Sequence, residues 1–179
     1  MEKLSTKLML ANSIKELMKT KALDKITVTE IVERCGTTRQ TFYRNFKDKY
    51  ELVNWYFQSV SVSKFESYAR SGDFKTALYL KHEMIANEYH FYREASNSFD
   101  INSLQNYDYN SMMKTCSEII EAKLHAPLST ELRVILSVYC HGCIDVTTEW
   151  VRKGMPFTSQ QIASYLWKAM PSQLKNYLV

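Results

Sequence analysis

The chain of 179 residues has only four glycines and three prolines. Both residue types interrupt helices, so their scarcity argues against a loop-rich fold and favours long helices. No apolar run approaches the ~18 residues that a membrane span needs, so we expect no membrane partner. The first residues are polar and charged, and they predict no secretory signal peptide.

Cysteine is also sparse. The four cysteines are Cys35, Cys116, Cys140 and Cys143, and they do not form a dense disulfide framework for a chain of this length. This usage is typical of a reduced protein, and we expect a cytoplasmic one.

Positive charge is concentrated at the start of the chain. Residues 1–50 hold 11 Lys and Arg against 6 Asp and Glu, whereas residues 51–179 hold 12 against 13. A basic module joined to a near-neutral one suits a protein that binds a polyanion and has a separate body. A solvated basic surface would give the same balance, so the charge alone decides nothing.

Apolar residues recur at helical spacing through most of the chain, and no alternating run is long enough to require a sheet. The fold class that this predicts is all-α. The predicted helices cover approximately residues 5–20, 27–36, 39–44, 49–68, 74–91, 102–125, 129–153 and 158–170. We place a domain boundary near residue 50, inside the fourth helix, which gives a domain of residues 1–50 and a domain of residues 51–179.

The second and third predicted helices carry strong end signals. Thr27 with Glu30 three residues later is the pattern of a capping box. Gly36 is the expected residue at a helix C-terminus. Thr37 or Thr38 can then cap the next helix, which places two short helices around a glycine turn.

Two short helices joined in this way form a helix-turn-helix, whose second helix lies in the DNA major groove. Arg39 can pair bidentately with guanine and Gln40 with adenine. Tyr43, Arg44 and Lys49 suit phosphate contacts. The alternative is an ordinary helical hairpin with solvated polar residues. The candidate DNA-binding residues are Thr27, Thr37, Thr38, Arg39, Gln40, Thr41, Tyr43, Arg44 and Lys49.

The stretch from Lys25 to Leu52 resembles the N-terminal domain of TetR-family transcription regulators. The matching segments are Thr27-Val28-Thr29-Glu30-Ile31, Cys35-Gly36, Thr41-Phe42-Tyr43, Phe46-Lys47-Asp48-Lys49 and Glu51-Leu52. The resemblance implies an all-helical homodimer that binds a palindromic operator in double-stranded DNA. It also implies that the two long C-terminal helices form the dimer interface.

A narrower resemblance is to the DhaS-type branch of that family, which is associated with dihydroxyacetone kinase operons. Arg39-Gln40 matches this branch and departs from the usual family form, which has a small residue at the second position. Some members of the branch are activators with a kinase-like partner protein, so this resemblance implies a partner of that kind.

The second domain is rich in aromatic residues that could line an effector pocket. The candidate pocket residues are Tyr89, Tyr92, Tyr107, Tyr139 and Trp150. Aromatic residues at helical spacing are more often plain core, and that alternative stays open. Within the resemblance, the apolar faces of the dimer helices would come from Leu132, Ile135, Leu136, Tyr139, Ile162, Tyr165, Leu166 and Ala169.

One further motif has chemical potential. Cys140, His141 and Cys143 form a C-x-x-C pattern, which can be redox-active or can bind a metal. One such motif supplies only two of the four ligands of a structural zinc site. No Gly-rich phosphate loop or catalytic triad order is present. We therefore expect no catalytic residue, no metal and no cofactor, with a thiol- or metal-dependent enzyme as a remote alternative.

These observations predict a DNA-binding transcription regulator, not an enzyme, that is controlled by a small ligand or a partner protein. It would activate a dihydroxyacetone kinase operon. The alternative is a repressor that is released by a hydrophobic or aromatic small molecule.

Overall fold

The computed structural model describes residues 5–98 and 100–179. Within these ranges all regular structure is helical, which confirms the all-α prediction. No helix in the described ranges is long and apolar enough to cross a membrane. The helices are α1 Thr6–Met18, α2 Val28–Cys35, α3 Arg39–Asn45, α4 Lys49–Phe57, α5 Ser63–Arg70, α6 Phe74–Asn87, α7 Tyr89–Ser96, α8 Leu104–Leu124, α9 Thr130–Arg152, α10 Ser159–Ala169 and α11 Ser172–Leu178.

The predicted end signals of α2 and α3 are confirmed. The Thr27 hydroxyl accepts from the Glu30 amide at 3.2 Å, and the Glu30 carboxylate accepts from the Thr27 amide at 2.8 Å. Gly36 ends α2 in the left-handed region at φ 69°, where other residues are strained. Thr38 caps α3, because its hydroxyl accepts from the Thr41 amide. The turn between the helices is therefore specified locally.

Two phenylalanines anchor α3 in the interior. Phe42 is completely buried and Phe46 is 3% exposed. The Phe46 ring lies 5.7 Å from the Trp55 ring of α4, and the same core contains Leu10 and Ile14 of α1. Burying the apolar side of α3 in this way leaves its polar side facing solvent.

The predicted fourth helix is not continuous. A π-helical turn, Gln58–Val62, separates α4 from α5. Its signature is the Ser63 amide, which donates to the Gln58 carbonyl five residues earlier. Such turns insert a residue into a helix and rotate the side chains that follow, and they are frequent at functional sites. Apolar periodicity could not show this, because core residues continue on both sides of the turn.

Three other elements differ from the sequence prediction. The helix expected over 74–91 breaks at Glu88 (φ −108°, ψ 34°), where α6 ends and α7 begins. The helix expected from residue 102 begins at Leu104. The short helix α11 was not predicted. The boundary near residue 50 stays a prediction, because α4 packs on α1 of the first domain and on α8 of the second.

Candidate nucleic-acid interface

The N-terminal half of α3 presents its polar side chains together. Thr38, Arg39 and Gln40 are exposed and Thr41 is half-buried. One turn later Tyr43 is 52% exposed. Phe42 is buried, and these side chains surround it at the N-terminal end of the helix, where they are open to solvent. The structure thus groups the residues that the sequence assigned to base contacts.

The two arginines of α3 form no ion pair within the part of the chain that the structure describes. Arg39 and Arg44 are exposed, and neither forms an ion pair with any residue between 5 and 98 or between 100 and 179. By contrast, Arg34 at the end of α2 lies 3.9 Å from Glu16. Unpaired guanidinium groups on one exposed helix are available to a polyanion or to a guanine edge.

Lys49 has a structural role that sequence reasoning missed. Its ammonium donates to the backbone carbonyls of Asp24 at 2.9 Å and Ile26 at 2.8 Å, which secures the 3₁₀ turn Leu23–Lys25 before α2. Burial lowers the pKa of Lys49 from its usual value, against the raising effect of nearby carboxylates. An ammonium has three N–H groups, so one remains for a phosphate.

The remaining candidates, Thr27 and Thr37, have internal partners. The Thr27 hydroxyl donates to Glu30 at 2.8 Å and also accepts from the Glu30 amide. Hydrogen bonds from Lys21 and Thr27 lower the pKa of Glu30 to about 2, so it is a carboxylate at the start of α2. Thr37 is half-buried and its amide donates to the Val32 carbonyl. Both threonines therefore shape the motif, and the Thr27 hydroxyl is already engaged.

Polar contacts join the helix-turn-helix region to the rest of the chain. The Lys15 ammonium lies 2.6 Å from the Tyr56 hydroxyl and 2.7 Å from Glu88, at the break between α6 and α7. On another side, Asp24 accepts from Ser98 at 2.7 Å and from Tyr50 at 3.1 Å. These contacts are long-range in sequence and had no sequence signal.

In the described ranges the five expected pocket residues lie at different places, and a common effector pocket stays a prediction. Tyr107 lines a cleft between α4 and α8, Tyr89 a cleft beside Lys15, and Tyr139 a groove between α9 and α10. Tyr92 and Trp150 are buried core residues, at 1% and 2% exposure. The five residues are carried by three helices, α7, α8 and α9, and lie at different places.

The apolar face of α9 and α10 also differs from the expected set. Leu136 and Ile162 are completely buried within the chain and cannot reach a partner. The exposed apolar residues of these helices are Val134, Val138, Val146 and Tyr165. Val138, Gly142 and Val146 line an open apolar groove of about 240 Å³ that extends to Leu166 on α10. The long helices thus present an apolar surface that includes the expected Tyr139, Tyr165, Leu166 and Ala169 but not the buried Leu136 and Ile162.

The C-x-x-C motif does not form a site. Cys140 and Cys143 are buried, whereas His141 is exposed and its ring stacks on Tyr109 at 3.9 Å. Burial raises the pKa of the Cys143 thiol to about 12, and a hydrogen bond with Cys116 together with burial raises that of Cys140. Protonated buried thiols are poor nucleophiles and poor metal ligands. In the described part of the chain, no three His, Cys, Asp or Glu side chains are grouped to hold a metal ion.

Two family models match the chain. The model of bacterial regulatory proteins of the tetR family matches residues 12–59. A second model, described as a transcriptional regulator C-terminal region, matches residues 73–171. The chain belongs to the TetR family. TetR-family proteins are transcriptional regulators that bind DNA operators and typically act as dimers, and α3 is the recognition helix of this one's helix-turn-helix.

Similar proteins include the HTH-type dhaKLM operon transcriptional activator DhaS of Lactococcus lactis subsp. lactis (strain IL1403), which is 35% identical over 54 residues. That match covers 30% of this chain and only 29% of the relative's length. A solved structure of a dihydroxyacetone kinase operon activator DhaS is 18% identical over 99% of this chain and 100% of that one, with a TM-score of 0.66.

Two solved TetR-type repressors share the fold. NalD, the secondary repressor of the MexAB-OprM multidrug efflux pump in Pseudomonas aeruginosa, is 19% identical over 92% of this chain and 93% of that one, with a TM-score of 0.60. AlkX from Dietzia sp. strain DQ12-45-1b is 17% identical over 98% of both chains, with a TM-score of 0.52. At these identities the likeness concerns the fold.

Proposed function

We propose that this TetR-family regulator binds a palindromic operator as a homodimer and reads bases with Thr38, Arg39, Gln40 and Thr41. The observation that carries the proposal is the exposed N-terminal end of α3, where Arg39 forms no ion pair with any residue that the structure describes. Tyr43, Arg44 and the third N–H of Lys49 are assigned to phosphates. In this assignment Thr27 and Thr37 position the motif.

We expect Arg39→Ala to weaken operator binding by roughly 1–3 kcal/mol and to relax the preference at one base pair. The physical reason is that Arg forms two hydrogen bonds to a guanine edge, and Ala forms none. Fluorescence anisotropy on the footprinted operator and on single-base variants of it measures both effects.

Arg70→Ala is the matched control. Arg70 is an exposed arginine of α5 that pairs with Glu118, so its loss removes the same charge at a remote place. If Arg39→Ala and Arg70→Ala bind every operator variant equally well, Arg39 does not read a base.

The apolar surface of α9 and α10 supports a dimer of two identical chains. Val134, Val138, Gly142 and Val146 recur every four residues, which forms one ridge along α9. Ridges of this kind pack into the grooves of a facing helix, and Gly142 permits a close approach, because no atom lies within 4 Å of the place of its missing Cβ. A second copy would cover Val138, which is 69% exposed.

Val138→Lys should convert the dimer into monomers, because it would bury an unpaired ammonium at the centre of the interface. Light scattering coupled to size-exclusion chromatography gives the mass directly. Val179→Lys, at another exposed valine on the C-terminal side of α11, should stay dimeric. A Val138→Lys variant that keeps the mass of the parent protein would place the interface elsewhere.

We further propose that the regulated genes include a dihydroxyacetone kinase operon, with control by a small ligand or by a kinase-like protein. The similarity of 54 residues, 30% of the chain, to a DhaS activator and the pair Arg39-Gln40 support this choice. Transcription from such a promoter, measured with and without the protein, tests it. A rise in transcription supports an activator, and a fall supports the repressor alternative, in which an apolar small molecule releases the operator.

A further inference from the structure

Three side chains meet where the helix-turn-helix region contacts the second part of the chain. Lys15 belongs to α1, Tyr56 to the last turn of α4, and Glu88 to the break between α6 and α7. Lys15 and Tyr56 are 41 positions apart in the sequence, and Tyr56 and Glu88 are 32 apart. We refer to these three residues as the junction cluster.

Every side-chain polar atom of the junction cluster has a partner inside the cluster. The Lys15 ammonium donates to one carboxylate oxygen of Glu88 at 2.8 Å, lies 2.7 Å from the other, and donates to the Tyr56 hydroxyl at 2.6 Å. The Tyr56 hydroxyl in turn donates to Glu88 at 2.8 Å. Three acceptor oxygens thus surround an ammonium that has three N–H groups, so none is left for DNA.

The junction cluster is partly shielded from water. The side chains of Lys15 and Glu88 are 23% and 25% exposed, and Tyr56 is buried. Burial lowers the pKa of Lys15, but its hydrogen bonds to Glu88 and Tyr56 raise the pKa by more, so it lies above its usual value. Ion pairs on open surfaces contribute little to stability, whereas shielded pairs with additional hydrogen bonds keep a defined geometry.

Two irregularities of the backbone adjoin the junction cluster. Glu88, at φ −108° and ψ 34°, is itself the break between α6 and α7. Tyr56 lies two residues before the π-helical turn, and its ring packs edge-on against Phe91 of α7 at 5.0 Å. Residues at the ends of helices absorb the dihedral changes of domain motions. The cluster therefore fastens α1 to a joint between two helices and not to the middle of one.

We propose that Glu88 is a positioning residue for operator binding, an inference that rests on the proposed function. By binding Lys15 and Tyr56, Glu88 fixes the orientation of α1 relative to the second part of the chain. Because α1 packs on α2 and α2 packs on α3, the orientation of α3 is fixed as well. Glu88 itself does not contact DNA. In a dimer joined through the second parts, this contact sets the separation of the two recognition helices.

A fixed separation requires one spacing of the operator half-sites. Half-sites of a palindrome lie about one DNA turn apart, roughly 34–36 Å. Each inserted base pair moves one half-site by about 3.4 Å along the DNA axis and turns it by about 34° around that axis. Two recognition helices that are held in place match one such arrangement, whereas two released ones match several.

The first test measures operator spacing by fluorescence anisotropy of the full chain. The DNA duplexes are the footprinted operator and the same operator with two base pairs inserted at its centre. Glu88→Lys and Lys15→Glu each place like charges opposite one another, and each should lower the ratio of the two affinities by at least about fivefold. The double variant Lys15→Glu, Glu88→Lys restores an ion pair and should restore the ratio. The ratio is used because a change in net charge alters both affinities alike.

A second test needs no DNA and so does not depend on the proposed function. Gln40 on α3 and Gln160 on α10 are exposed. Nitroxide labels at Gln40→Cys and Gln160→Cys, in a Cys35→Ser background because the other three cysteines are buried, report the distance between α3 and the second part. Labelled protein is diluted into unlabelled protein, so that distances within one chain dominate. Pulsed electron paramagnetic resonance should give a narrow distribution for the parent, broad ones for both single variants, and a narrow one for the double variant.

Glu118→Lys is the matched control. Glu118 of α8 pairs with Arg70 of α5, and both residues belong to the second part of the chain. This substitution creates a similar repulsion but should change neither the spacing ratio nor the width of the distance distribution. The free energy of unfolding is measured on every variant. Glu88→Ala removes the same contacts without repulsion, and it takes the place of Glu88→Lys if that variant does not fold.

Two results would overturn the positioning role of Glu88. One is a spacing ratio that stays at the parent value in the single variants or is not restored in the double variant. The other is a distance distribution of equal width in the parent and the single variants. A parent protein that binds the operator no better than a scrambled duplex contradicts the proposed function instead, and the distance distribution then decides the role of Glu88 alone.

Discussion

Replacing Asp108 by Leu should lower the free energy of unfolding by about 3–5 kcal/mol. Asp108 on α8 and Lys81 on α6 form an ion pair at 2.6 Å, and their side chains are 1% and 4% exposed. Removing the carboxylate leaves the Lys81 ammonium in the core beside the Phe65 ring, 5.5 Å away, where water cannot solvate it. Urea denaturation followed by circular dichroism measures the change.

The double variant Lys81→Met, Asp108→Leu is the informative control. It removes both charges and fills similar volume with apolar groups, so it should recover most of the loss. The pair does not satisfy both oxygens of the carboxylate, because one oxygen of Asp108 has no hydrogen-bond partner among the described residues. Burial raises the pKa of this carboxyl, and Lys81 lowers it only in part. A double variant as unstable as Asp108→Leu would mean that packing, and not the unpaired charge, causes the loss.

Acidification from pH 6.5 towards 4 should lower the free energy of unfolding by about 3 kcal/mol through His82 alone. His82 is 1% exposed, and burial lowers its pKa to about 4. The hydrogen bond to the Leu78 carbonyl raises the pKa but offsets the effect of burial only in part, and the charge of Lys81 lowers the pKa further. The native state therefore holds neutral His82, while the unfolded chain binds a proton near pH 6.5. The contribution of neutral His82 to the free energy of unfolding is complete above pH 6.5 and is lost as the pH falls towards 4.

The hydrogen bonds around His82 agree with a neutral ring. Nδ1 lies 2.7 Å from the Leu78 carbonyl, which only accepts, so Nδ1 carries the proton. Nε2 then accepts from the Thr147 hydroxyl at 3.0 Å, which shares its one hydrogen with the Cys143 carbonyl at 2.6 Å. Protonation would satisfy all three contacts, but one added hydrogen bond of about 1–3 kcal/mol does not offset burying a cation beside another cation.

The measurement is the free energy of unfolding at a series of pH values for the parent protein and for His82→Gln. The variant keeps a polar group but does not titrate, so its curve should fall less steeply between pH 6.5 and 4. Asp108 and the exposed carboxylates titrate in both proteins and cancel in the difference. Parallel curves for the two proteins would show that folding does not lower the pKa of His82.

The helix-turn-helix could be predicted from sequence because its signals are local. A threonine and a glutamate three residues apart close a capping box, and a glycine after α2 permits the left-handed turn, whatever the rest of the chain does. The periodicity that places Phe42 inward also places Gln40 and Arg44 outward, and Arg39 is exposed in the first turn of the helix. Where structure depends on neighbours within four residues, the sequence is sufficient.

The second part of the chain could be predicted only as helices. The π-helical turn at Gln58 and the break at Glu88 leave no local signal, because apolar spacing continues through both. The pocket of five aromatic residues stays a prediction, since the direction of each ring depends on how α7, α8 and α9 pack. For the same reason the apolar ridge of α9 lies at Val134 and Val138, and not at the buried Leu136.

The sequence by itself determined the fold class and the capped helices α2 and α3, because short-range hydrogen bonds and helical periodicity specify both. Only the tertiary structure decided that Lys49 secures the turn before α2, that His82 and Lys81 are buried, and that Asn54 and Gln58 face Tyr107 across a cleft. Those facts depend on contacts between residues tens of positions apart, and such contacts form only when the helices pack.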